Sequence, residues 1–153
     1  MIRIAFFFET APTHRLFKSH VRNVLHKAAR LTRLSDVDID VIVVGDARMK
    51  KLNTTYRGKR TPTDVLSFAL RDGVRFPQAK KTREHLGDIF INYSDARRRA
   101  RDVGVPVKDI FAFLAVHGFL HLAGFDHRTP REIRRMRLFE QTICRGKVFY
   151  NHS

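Results

Sequence analysis

Three histidines in eleven residues constrain this chain more than any other feature: His117-Gly-Phe-Leu-His121-Leu-Ala-Gly124-Phe-Asp-His127. The apolar run Ile110 to Val116 leads into them, so His117 and His121 should lie on a mostly buried helix. Four residues apart, they share one face. Gly124 is a natural helix stop, because a residue without Cβ can take the left-handed conformation that turns the chain back. The turn can bring His127 to the same point. Catalytic zinc takes three protein ligands and leaves a fourth position open, and His117, His121 and His127 supply that number. The offsets match the long zinc-protease pattern His-Glu-x-x-His-x-x-Gly-x-x-His, in which the Glu is the general base. Gly118 stands at that place here.

The residues between the histidines add a second level of likeness. With Gly118, Leu120, Leu122, Gly124 and Asp126, the stretch resembles the signature of the YbeY family, His-Gly-x-Leu-His-Leu-x-Gly-Tyr-Asp-His, with Phe125 in place of the Tyr. Two further stretches are similar to that family. Leu52-Asn53-x-x-Tyr56-Arg57 is followed by Thr61-Pro62-Thr63-Asp64-Val65-Leu66-Ser67-Phe68, and later comes Gly87-Asp88-Ile89. The resemblance implies a zincin-like fold and a metal-dependent endoribonuclease that cuts single-stranded RNA, matures ribosomal RNA and takes part in ribosome quality control. It implies that Arg57 acts alongside His117 in catalysis. A guanidinium is planar, always charged and able to hold two phosphate oxygens at once, so it suits a phosphodiester better than Lys does. The plainer role for Arg57 is a cation at a helix C-terminus, where it favours the dipole. Asp126, Asp64 and Asp88 are candidates to orient metal ligands from behind, although an Asp at the edge of a strand more often closes a turn. Arg131, Arg134, Arg135 and Arg137 depart from the family, which carries more acidic residues after the third histidine.

Charge points the same way. Lys+Arg number 30 against 15 Asp+Glu, a net charge of +15 over 153 residues. Such an excess favours a polyanionic partner, because neutralising phosphates releases counterions. RNA, as ribosomal RNA or ribosomal particles, is the first candidate and an anionic membrane surface the second. Lys59 and Arg60, and the arginines Arg97, Arg98 and Arg101, are the candidate RNA contacts; a solvated face is the plain alternative for the latter group. Three neutral imidazoles suit Zn²⁺, one ion per chain, better than Mg²⁺, which prefers oxygen ligands. Cys144 is the single cysteine, so no internal disulfide forms. The opening apolar run is too short for a signal peptide core, and Ile110 to Phe125 falls short of a membrane span. A cytoplasmic protein is expected.

Along the chain, Ile2 to Phe8 predicts a strand buried largely on both faces. Apolar spacing predicts a helix from Thr13 to about Leu34, with His14, His20 and His26 at its surface. Val37 to Val43 alternate as a second strand, and Asp46 caps a short helix through Tyr56. Arg71 to Glu84 predicts a mobile basic loop and Leu86 to Ile91 a further strand. Ser94 caps an arginine-bearing helix, and Thr129-Pro130-Arg131-Glu132 forms a capping box that opens the last helix. This order predicts one α+β domain over 1–153, a small mixed β-sheet packed with helices around a central histidine-bearing helix. Two other functions fit the same residues: a zinc peptidase, opposed by Gly118, and a non-catalytic RNA-binding ribosome assembly factor with a structural metal.

Overall fold

The computed structural model describes residues 1–10, 15–70 and 83–150. The elements run β1 (Arg3–Phe8), α1 (Arg15–Leu31), β2 (Val37–Val44), α2 (Asp46–Arg57), β3 (Val65–Ala69), β4 (Glu84–Asn92), α3 (Tyr93–Val103), α4 (Val107–Leu122) and α5 (Pro130–Ile143). The basic loop expected over Arg71 to Glu84 lies almost wholly outside the described residues.

The sheet has the order β1-β2-β4-β3, and its mixed character follows from the connections. β1, β2 and β4 are parallel, while β3 pairs antiparallel with β4. α1 spans the crossover that two adjacent parallel strands require. Ile39, Val41, Val43, Ile89 and Ile91 form the face on which α1 and α4 pack, each of these side chains at most 1% exposed. α4 is apolar on every side and is buried through most of its length, as expected of a helix at the centre of a domain. It lies close on β4. A Cβ placed on Gly118 would stand 2.7 Å from Ile89 Cγ2 and 3.5 Å from Val65 Cγ2.

Successive residues of a strand point to opposite faces, so Leu66, Phe68 and Phe90 look away from α4. α2 covers part of that second face with Met49 and Leu52, packed against Val44 and Leu66. Tyr56 near the end of α2 meets Phe68 at 5.0 Å between ring centroids. α2 therefore sits over the β3 edge.

Three local expectations need correction. β1 is an edge strand, and its Arg3, Ala5 and Phe7 face is exposed; the apolar Phe7 and Ala5 mimicked a strand covered on both sides. Asn92, two residues before Ser94, caps α3 by accepting from the backbone N–H of Ser94 and Asp95 at 3.1 and 3.3 Å. Gly45 holds the cap position of α2, and Asp46 is its first residue, bound instead to Asn92 and Arg98. The capping box on α5 forms as read, with Glu132 N–H donating to Thr129 at 3.2 Å and Glu132 accepting from Thr129 N–H at 3.0 Å. Among the described residues no helix is long and apolar enough to cross a membrane.

Candidate active site

The last turn of α4 brings His117 and His121 together, and the segment after it places His127 beside them without bringing the ligand atoms of all three within 4.8 Å of one another. α4 ends at Leu122, and Gly124 at φ 96° turns the chain as a residue without Cβ can. His117 and His121 Nε2 atoms lie 3.2 Å apart. The ring of His127 stands 5.0 Å from that of His121 and 6.2 Å from that of His117, centroid to centroid. Burial, then the neighbouring rings of His117 and His127, push the His121 imidazole down to about 4. At neutral pH its ring is uncharged and offers a free nitrogen.

Asp126 serves His127 directly. Its Oδ1 accepts from the backbone N–H of His127 at 2.8 Å and lies 3.3 Å from His127 Nδ1. These bonds hold its carboxyl below the ordinary carboxylate range.

A cavity of about 600 Å³ opens beside the histidines, lined by Arg57, Ser67, Ala69, His121, Phe125 and His127 among others. Arg57 reaches it because α2 ends at the sheet edge formed by β3. Gly58, left-handed at φ 68°, closes the helix there, and Asn53 Nδ2 donates to Thr61 O at 2.8 Å to hold the following loop. Lys59 and Arg60 lie exposed on that loop and do not line the cavity.

The other candidates sit elsewhere. Asp64 accepts from Val65 N–H at 2.7 Å and from Arg99 at 3.2 Å. Arg97, Arg98 and Arg101 line a separate cavity of about 490 Å³ with Tyr93, Ser94 and Val107. Arg98 is tied to both carboxylate oxygens of Asp46 at 2.9 and 3.0 Å. Asp88 bonds His85 Nε2 at 2.9 Å, and Asp40 Oδ2 lies 3.8 Å from the same nitrogen.

That trio is a grouping the sequence reading missed. Asp40, His85 and Asp88 offer ligand atoms all within 4.8 Å of one another, so they can hold a metal ion. A bulge at Leu86 makes the grouping, because β4 pairs His85 with Asp38 but Gly87 with Ile39. The extra residue turns His85 to the face of Asp88, three positions on, where a regular strand would separate them. Glu140 on α5 was also missed. It is 1% exposed, and its Oε2 lies 3.3 Å from His117 Nδ1. Its available signal was an acid within the apolar stripe Met136, Phe139, Ile143.

Comparison with known proteins agrees with the three motifs. Residues 7–146 match the model of the family described as Endoribonuclease YbeY. The chain is 35% identical over 143 residues to the endoribonuclease YbeY of Bacillus cereus (strain G9842), covering 87% of this chain and 88% of that protein. It is 40% identical over 108 residues to that of Desulforamulus reducens, covering 71% of each. The solution structure of TM1509 from Thermotoga maritima has a similar fold, with a TM-score of 0.56 and 23% identity over 94% of this chain and 89% of that one. From the histidine turn, the arginine at the sheet edge and these matches together, the chain belongs to the endoribonuclease YbeY family.

Proposed function

We propose that the protein cleaves single-stranded RNA at the cavity beside α4, with a zinc ion held by His117, His121 and His127, and that it acts in ribosomal RNA maturation and ribosome quality control in the cytoplasm. One observation carries the metal reading. Two nitrogens each bound to one tetrahedral zinc at about 2.0–2.1 Å lie about 3.3 Å from each other, and the Nε2 pair of His117 and His121 stands at 3.2 Å. An uncharged His121 offers a free nitrogen, and His127, its ring 5.0 Å from that of His121, is the third donor of this reading. Zinc supplies Lewis acidity toward a scissile phosphate and an activated water near neutral pH. The single domain over 1–153 and its zincin-like class belong to the same reading.

The chain's own groups do the rest. Arg57, across the cavity from the histidines, grips two non-bridging oxygens of the phosphodiester, and that grip strengthens as charge builds on them. Asp126 fixes the orientation of His127 through its paired bonds. Lys59 and Arg60 extend the positive rim beyond the cavity, and Arg97, Arg98 and Arg101 present a second basic surface on α3 for the RNA backbone. Asp64 and Asp88 make their bonds away from the histidines, and their support of the site is through the sheet that carries Val65 and Ile89. The peptidase alternative meets a packing obstacle, since residue 118 has no room for a glutamate. A structural-only metal is disfavoured by His127, whose side chain is 59% exposed and leaves the site open to solvent. Incubating a generic single-stranded RNA with wild-type and His117→Ala protein, with zinc content measured on both, tests the proposal. Equal cleavage by the two proteins overturns it.

A further inference from the structure

Glu140 sits where a carboxylate is costly. It is 1% exposed, flanked on α5 by Met136 and Ile143 at 2% each. Among the described residues no Lys or Arg pairs with it, and its one ion-pair partner is His117. Its charge is felt nearby. It helps to push the Cys144 thiol and the Tyr150 phenol up to about 12, second in each case to burial. A buried carboxylate without a permanent cation is normally replaced at no loss by an apolar side chain of similar volume, so its presence calls for a compensating use.

The geometry of His117 supplies that use. One ring nitrogen, Nδ1, faces Glu140 Oε2 at 3.3 Å, and the other, Nε2, faces His121 Nε2 at 3.2 Å. A carboxylate accepts only, so Nδ1 must carry the proton for this bond to exist. The lone pair of a neutral ring is then left on Nε2, directed toward the other histidines.

We propose that Glu140 is the positioning residue of this centre: it fixes the tautomer and ring orientation of His117 so that Nε2 is presented to the metal. The proposal rests on the reading of His117 as a ligand. Hydrogen-bonded carboxylates behind metal-binding histidines raise the basicity of the ring, and their loss costs 10–100-fold in affinity. Glu140 arrives from a different helix, so α5 closes over α4 partly to complete the site.

The test uses Glu140→Leu and the nearly isosteric Glu140→Gln. Three quantities are measured: thermal stability of the metal-free protein, zinc affinity against a competing chelator, and the side-chain ¹⁵N shifts of His117 in the metal-free protein. The expected Leu variant is as stable as wild type or more so, binds zinc about 10–100-fold more weakly, and shows His117 as a mixture of tautomers. Gln keeps an acceptor oxygen, so its tautomer stays fixed and its affinity falls between the two. Wild-type zinc affinity and an unchanged tautomer in the Leu variant overturn the proposal, and wild-type zinc affinity in the Gln variant overturns it if Leu fails to fold. Zinc binding by His117→Ala equal to wild type overturns the ligand reading itself, a result the tautomer signal in the metal-free protein keeps separate.

Discussion

Two clusters of histidine and carboxylate lie on opposite faces of one sheet, and they are solvated very differently. His117, His121 and His127 gather on the α4 side with Glu140 beneath them, a carboxylate 1% exposed. Asp40, His85 and Asp88 gather on the far side, their side chains 32, 29 and 35% exposed. The far trio brings its ligand atoms within 4.8 Å of one another, while the rings of His117 and His127 stand 6.2 Å apart; the cost of assembling the groups differs as well. On the open face water does much of the solvation, and a carboxylate pair can stand near a histidine at small expense. Under α5 the same charge must be repaid by a bond that matters. Proximity alone therefore does not rank two sites, whereas proximity achieved at a desolvation cost does.

The largest effect expected from breaking this contrast is in His117→Ala. RNA cleavage should fall about a thousandfold or more and bound zinc should be lost, while His85→Ala keeps both. Metal analysis and single-turnover cleavage on the two variants check this, and the opposite pattern would move the centre to the other face. Arg57→Lys comes next. Charge is kept and the two-pronged grip is lost, so cleavage with RNA saturating should drop about a hundredfold with zinc retained. An unchanged rate would return Arg57 to the role of a helix-end cation. Third, RNA binding should weaken about tenfold or more between 50 and 200 mM salt if several phosphates are neutralised on the histidine side. Filter binding across that range measures the slope, and a flat response points to a small neutral substrate.

The smallest effect lies on the far face. Burial, then the neighbouring Asp88 and Asp38 carboxylates, raise Asp40, while His85 opposes them; burial is the largest cause. A raised carboxyl holds its proton more tightly in the folded than in the unfolded chain, so its charging lowers stability as pH rises above the ordinary Asp value. At neutral pH Asp40→Asn should thus raise Tm by about 1–2 °C and leave cleavage unchanged. Calorimetry at pH 7 checks the sign; a lower Tm would mean that the carboxylate is held by an ion.

Legibility in the sequence followed the range of the interaction. The i, i+4 histidines, the stop at Gly124 and the Thr129 capping box are local, and each formed where the residue pattern put it. Arg57 was singled out by resemblance, but its approach to the cavity depends on β3 being the sheet edge, which strand order alone decides. The exposure of Phe7 was illegible for the same reason, since nothing in β1 states that no strand lies beyond it. Asp40 and His85 are 45 residues apart in number and meet only through β2–β4 pairing and the bulge at Leu86. Glu140 needed the packing of α5 on α4, although an acid in an apolar stripe is a mark that a reader can learn to query.

The tight seat of Gly118 on Ile89 also sets a rule of succession for this scaffold. A metal-bearing helix with the His-x-x-x-His spacing is one residue away from the glutamate that would make it a peptide hydrolase, yet here that single exchange drives a side chain into the sheet. Space must first be opened at position 89, and only then does residue 118 become a place where a base can be carried. Ile89→Ala followed by Gly118→Glu is an ordered path, while the reverse order passes through a chain in which the new Cβ stands 2.7 Å from Ile89 Cγ2 and the core must shift. The distance between helix and strand thus acts as a gate on the reactions this fold can acquire.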